Sequence, residues 1–122
     1  MRKDIVRAVE EGYIKGIHEM QSKQQALKGF HEDFRMVVKE DGISHISLDE
    51  WLKRLNTMIS ENEAFWSRET KYDILSVEST VDTAYVKVKV YKGKDYFSTD
   101  MFLLYKFDAW KIVSKIYSVL DI

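Results

Sequence analysis

Residues 3–20 carry Ile5, Val9, Tyr13, Ile17 and Met20 at intervals of three or four, which predicts a helix with one apolar face. Gly12 and Gly16 lie four apart on one side of it. Each glycine costs about 0.5–1 kcal/mol against alanine inside a helix. The pair therefore reads as a flat strip for close packing. Ser22 followed by Gln25 fits a capping box, opening a short helix through Ala26, Leu27 and Phe30. Ser47 and Glu50 repeat the signature, with Ile46 and Trp51 placed as a hydrophobic staple. Behind that cap, Leu48, Trp51, Leu52, Leu55, Met58 and Ile59 form a one-sided apolar stripe. Between the two helices, Phe34–Lys39 reads as a short strand and Glu40-Asp41-Gly42 as a turn.

From residue 69 onward the period changes to two. Ala84, Val86, Val88 and Val90 alternate with Tyr85, Lys87, Lys89 and Tyr91. Gly93-Lys94 and Asp108-Ala109 read as tight turns, which gives antiparallel strands at about residues 69–80, 83–92, 95–107 and 110–120. Three N-terminal helices followed by a meander predict an α+β domain with the helices on one face of the sheet.

Two-residue turns set a register. Val90 then pairs with Phe97, Phe107 with Trp110, Tyr105 with Ile112, Leu103 with Ser114 and Met101 with Ile116. One face then holds Val86, Val88, Val90, Met101, Leu103, Tyr105, Phe107, Ile112 and Ile116. It is apolar enough to face the helices. The opposite face holds Asp100, Phe102, Leu104, Lys115 and Tyr117 among others. Its large apolar side chains point to a partner surface, and a symmetric dimer is the commonest solution. A slip of one residue in either turn exchanges the two faces.

Composition changes the picture mainly by exclusion. The chain has 122 residues, read as a single domain over 1–122, with 19 Lys+Arg against 20 Asp+Glu. A net charge of -1 gives no footprint for nucleic acid or an anionic membrane surface. The absence of cysteine rules out disulfides, thiolate metal sites and thiol catalysis. No signal peptide follows Met1-Arg2-Lys3-Asp4, and no run approaches the length of a membrane span, so a cytoplasmic location is expected.

The run from Asp100 to Tyr117 resembles the ending of the putative lumazine-binding family, with its strand, Asp-containing turn and Trp-Lys-Ile-Val-x-Lys segment. That family belongs to the nuclear transport factor 2-like superfamily, alongside SnoaL-type cyclases and ketosteroid isomerases. Tyr13-Ile-Lys-Gly-Ile17 resembles its first helix, Phe30-His-Glu-Asp-Phe34 its helix-to-strand turn and Glu50-Trp51-Leu52 its third helix. The chain departs from the pattern at Glu32, usually Pro, and at Ala109, usually Gly. The resemblance implies a cystatin-like cone, a curved antiparallel sheet wrapped around three helices, with a pocket inside its apolar face. Tyr13, Phe34, Met36, Trp51, Leu55, Met101, Leu103, Tyr105, Ile112 and Ile116 are the residues expected there. Side chains of these types also serve simply to fill a core.

Ketosteroid isomerases use a first-helix tyrosine, a carboxylate base on the first strand and a carboxylic acid on the sheet. Tyr13 matches the first, but matching places Val38 and Leu103 at the other two. Neither can carry a proton, so that chemistry is not expected. His31 is the remaining acid–base candidate. The favoured alternative is that His31 and Asp33 organise the local turn. His18, beside Glu11 and Lys15 on the polar side of the first helix, and His45, in a loop, are expected to be solvated. The three histidines have no metal-ligand spacing, and no metal or cofactor is expected. Asp100 and Lys115 are diagonal neighbours with Tyr117 opposite Asp100. Such a polar cluster in a cleft reads as an active site, but the register places it on the outer face, where a surface or dimer-interface ion pair worth about 0–1 kcal/mol is the favoured reading.

The leading reading is a small-molecule-binding domain with an apolar pocket for a small apolar or aromatic molecule. It is expected to be a homodimer through the outer sheet face, with no nucleic-acid or membrane partner. The rival is a small dehydratase, cyclase or isomerase using His31 and Tyr13 as acid–base groups. The third is an interaction module built on the outer sheet face.

Overall fold

The computed structural model describes residues 1–94 and 96–121. The chain opens with α1 (Arg2–Val9), which runs directly into a π-helical segment, Glu10–Glu19. A π turn closes on the fifth residue rather than the fourth, so residues five apart share a face. Tyr13 and His18 are so related, and their rings meet edge-to-face at 4.7 Å. On an α-helix the same two residues diverge by about 140°. The expectation of a solvated His18 is therefore corrected: part of the residue is exposed, but both ring nitrogens are sealed from solvent.

The Ser22 hydroxyl accepts from the Gln25 N–H at 3.2 Å and caps α2 (Lys23–Ala26), which stops short of Phe30. The glycine strip packs here. A Cβ on Gly12 would lie 2.7 Å from Gly29 Cα, and one on Gly16 would lie 2.7 Å from Ala26 Cα. Gly29 completes the contact, since a Cβ there would fall 1.9 Å from the Ala8 carbonyl oxygen.

Phe30–Glu40 forms β1, and Gly42–Ser47 returns beside it as β2. Gly42, at φ +108°, makes the turn. His45 thus lies in a strand, not in a loop. Ile43 and Ile46 face opposite ways, so this edge strand has no alternating apolar pattern to reveal it. Ser47 caps α3 (Leu48–Glu61) through Glu50 N–H at 3.2 Å, and Asn62 caps the short α4 (Glu63–Trp66). Among the described residues the α-helical stretches therefore number four, with a hairpin between the second and third, rather than three ahead of the sheet.

The strands β3 (Thr70–Ser79), β4 (Thr83–Lys92), β5 (Tyr96–Lys106) and β6 (Trp110–Asp121) follow. Asp95, the expected first residue of the third long strand, lies outside the described residues. The curved sheet has six strands in the order β2-β1-β6-β5-β4-β3. β1 runs parallel to β6, so the sheet is not wholly antiparallel; every other pair is antiparallel.

Register is the main correction. Tyr91 pairs with Phe97 and Val90 with Ser98, one residue off a two-residue turn at Gly93-Lys94. Gly93 takes φ +72° in the longer connection. One residue of slip reverses every side chain on β5. Ser98, Asp100, Phe102 and Leu104 turn inward and are buried, while Leu103 (51% exposed) and Tyr105 (51%) turn out. The last hairpin is also longer than expected, pairing Lys106 with Trp110, Tyr105 with Lys111 and Leu104 with Ile112. A bulge at Val113 then restores Leu103 opposite Ser114 and Met101 opposite Ile116. Those last two pairs match the expectation, but on the opposite face. Beyond the bulge Lys115 is buried and Ile116 is 49% exposed. The core between sheet and helices is built from Ile5, Val9, Phe30, Phe34, Val86, Val88 and their neighbours.

Candidate functional site

The inward face of the sheet, α3 and the π-helical segment enclose a cavity of about 380 Å³. Of the ten residues expected in a pocket, Tyr13, Met36, Trp51 and Leu55 line it. Phe34 and Ile112 are fully buried in the core instead, with Phe34 stacked 5.8 Å behind Trp51. Met101, Leu103, Tyr105 and Ile116 are on the other side of the sheet, for the register reason above. Their inward places are taken by Ser98, Asp100, Lys115, Tyr117 and Val119.

The floor is polar. Tyr13 O–H donates to Asp100 Oδ2 at 2.6 Å, and Ser98 O–H donates to the same oxygen at 3.2 Å. Lys115 Nζ lies 3.3 Å from Asp100 Oδ1, with the two side chains 4% and 1% exposed. The surface or interface ion pair expected of these two residues is thus a buried one inside the cavity. The contact is an ion pair at the long end of hydrogen-bond range, and Asp100 Oδ1 takes no other partner. The ammonium is also ringed by aromatic faces, at 4.3 Å from the centroid of Trp51, 4.8 Å from those of Tyr13 and Tyr117, and 5.8 Å from that of Phe102.

Burial sets the protonation states. It raises the Tyr13 phenol well above its ordinary pKa, reinforced by the charge of Asp100, so Tyr13 is a hydrogen-bond donor. It lowers the Lys115 ammonium, and Asp100 pulls the other way. The His18 imidazole is pushed down to about 3, first by burial and then by the charges of Lys92 and Lys115. His18 is therefore neutral at pH 7, against its ordinary value near 6.5.

The other acid–base candidate is elsewhere. His31 sits in β1 with its ring 4.8 Å from the exposed Phe107, and it is not among the residues lining the cavity. Its Nδ1 accepts the Asp33 N–H at 3.0 Å, an arrangement local to the strand. The structure thus does not bring His31 and Tyr13 together. The comparison with ketosteroid isomerases also needs correcting. Leu103 is turned out, but Asp100 puts a carboxylate beside Tyr13 from three residues earlier. The first-strand position, Val38, lines the cavity and carries no proton. Asp100 was visible in one respect: aspartate is disfavoured inside strands, so one followed by Phe102 and Leu104 at period two calls for a dedicated partner. Among the described residues no group of three or more His, Asp or Glu is placed to hold a metal ion. Among the described residues no helix is long and apolar enough to cross a membrane.

Solved structures share this architecture. A nuclear transport factor 2-like protein of unknown function from Shewanella baltica OS155 superposes with a TM-score of 0.75 at 20% identity, covering 97% of this chain and 92% of its own. One from Silicibacter pomeroyi DSS-3 gives 0.73 at 19% identity, covering 97% and 95%. AclR, described as a putative hydroxylase from Streptomyces galilaeus, gives 0.60 at 13% identity, covering 99% and 81%. At these identities the likeness is one of fold. No curated protein sequence matches the chain. The family model described as "Putative lumazine-binding" matches residues 1–118. With nearly the whole length matched, the chain belongs to the putative lumazine-binding family, and it has the fold of the nuclear transport factor 2-like proteins.

Proposed function

We propose that the protein binds a small molecule in the cavity between sheet and helices. One observation carries the reading: a buried cluster of Tyr13, Asp100 and Lys115 stands at the floor of an otherwise apolar, aromatic-walled space of about 380 Å³. Placing few polar groups in a concave apolar site is how small-molecule pockets combine contact area with orientation. Family membership supports the same reading. Binding is favoured over proton-transfer catalysis because Val38 offers no base, His31 is outside the cavity, and the His18 imidazole, pushed down to about 3, is a weak base at neutral pH. The test is native mass spectrometry of protein purified from its own cells, followed by denaturation to release what is bound. A small organic compound present in the wild type and lost in a cavity-filling Leu55→Trp variant supports the reading. A compound retained equally by both overturns it, and so does an empty protein whose tryptophan fluorescence no aromatic fragment perturbs.

The outer face carries a second part of the proposal. Leu103, Tyr105, Phe107 and Ile116 are each about half exposed there, at 51%, 51%, 52% and 49%. A second copy of the chain covers this patch in a symmetric pair. Sedimentation velocity tests it: a dimer that Leu103→Lys converts to monomer is expected, and a wild-type monomer at micromolar concentration refutes it.

A further inference from the structure

The charge of the ligand follows from the floor of the cavity, and this inference rests on the ligand-site reading above. Asp100 spends one carboxylate oxygen on Tyr13 and Ser98, and only the other approaches Lys115. Among the described residues, the 3.3 Å contact with Asp100 Oδ1 is the one acceptor the Lys115 ammonium has, which leaves two of its three N–H donors for a ligand. A second cation lies close enough to act on His18. Lys92 is buried, donates to Thr70 Oγ1 at 2.8 Å, lies over Trp66, and has no carboxylate partner among the described residues. His18 adds a neutral imidazole with two unpartnered nitrogens. The rim contributes no surplus, because Arg54 is held by Glu40 and Glu50. One ammonium and one carboxylate thus face the cavity, and a second ammonium, Lys92, lies behind its Trp66 wall without a carboxylate of its own. Buried polar groups left without partners call for a ligand or an ordered water.

We propose that the cavity selects a monoanionic planar aromatic acid of one or two rings, its carboxylate taking hydrogen bonds from Lys115 and its ring lying among Trp51, Trp66, Tyr96 and Tyr117. The desolvation of Lys115 has already been incurred on folding, so the incoming acid loses only its own hydration and gains charge-assisted hydrogen bonds. A neutral molecule of the same shape gains the aromatic contacts but leaves the ammonium as it is. An aromatic cation meets like charge.

The probes are 2-naphthoate and 2-naphthamide, which match in shape and differ in charge, titrated by calorimetry at pH 7.5. The wild type is expected to bind the acid at least about tenfold more tightly than the amide. The double variant Asp100→Asn/Lys115→Met removes both members of the pair, so no lone charge is stranded. It should bind acid and amide alike. The His18 ring ¹⁵N signals should move on adding the acid to wild type. Equal affinity of the wild type for the two probes overturns the charge inference and leaves the ligand-site reading standing. An acid preference that survives in the double variant overturns the assignment to Lys115. Failure of both probes to bind at millimolar concentration overturns the inference together with the reading beneath it. The wild-type comparison decides the matter even if the variant does not fold.

Discussion

Lowering the pH from 7.5 to 5 is expected to cost this protein about 2 kcal/mol of stability through His18. In the folded chain the imidazole is surrounded by the Tyr13 ring and by the fields of Lys92 and Lys115, and it takes a proton only near pH 3. In the unfolded chain it titrates at its ordinary value near 6.5. Between those values the unfolded state holds more protons than the folded one, so stability falls as pH falls. The contribution is complete above about pH 6.5 and is lost progressively toward pH 3. At pH 5 the ratio of proton-binding terms in the two states is about thirty, which is the 2 kcal/mol. The whole window amounts to about 5 kcal/mol. Carboxylates titrate over part of the same range, so the effect is read as a difference. Urea unfolding followed by tryptophan fluorescence, on wild type and His18→Gln at both pH values, isolates it. The wild type should lose about 2 kcal/mol more than the variant. An equal loss in the two proteins would refute the buried neutral imidazole.

Three further substitutions probe the frame around the cavity. Gly29→Ala drives a Cβ to 1.9 Å from the Ala8 carbonyl oxygen and should cost about 3 kcal/mol or more in chemical denaturation. Tyr13→Phe withdraws the shorter of two hydrogen bonds from the buried Asp100 carboxylate, and a loss of about 1.5–3 kcal/mol is expected from thermal melting. Ser47→Ala removes the cap of α3 and should cost about 1 kcal/mol, with Ser47→Thr retaining most of it.

Local chemistry was legible in the chain. The caps at Ser22 and Ser47 follow from side-chain-to-backbone geometry within four residues, and the close approach at Gly12 and Gly16 follows from the cost of glycine in a helix. The long strands followed from their alternation, and family motifs near both ends pointed to the fold. What was not legible turns on single residues. The extra residue between Tyr91 and Phe97 reversed the facing of Met101, Leu103 and Tyr105, and so hid Asp100 from the site. The bulge at Val113 did the same for Lys115 and Ile116. The π-helical segment brought His18 beside Tyr13, where α-helical spacing sets it apart. Each is decided by long-range packing, which a local pattern does not contain.

The Val113 bulge also makes the last strand a parity switch. Before it, even-numbered residues such as Trp110 and Ile112 go into the core; after it, odd-numbered Lys115, Tyr117 and Val119 reach the cavity. Loss of Val113 would straighten the strand and leave Lys115 opposite Phe102, facing the cavity. Gain of one residue just after the bulge would instead carry Ile116 and Ser118 inward and expel the lysine, with the pairing among the other five strands left intact. The chemical character of the chamber is thus linked to a single insertion rather than to a set of substitutions. Relatives of this chain have open to them a one-step route between a charged floor and an apolar one.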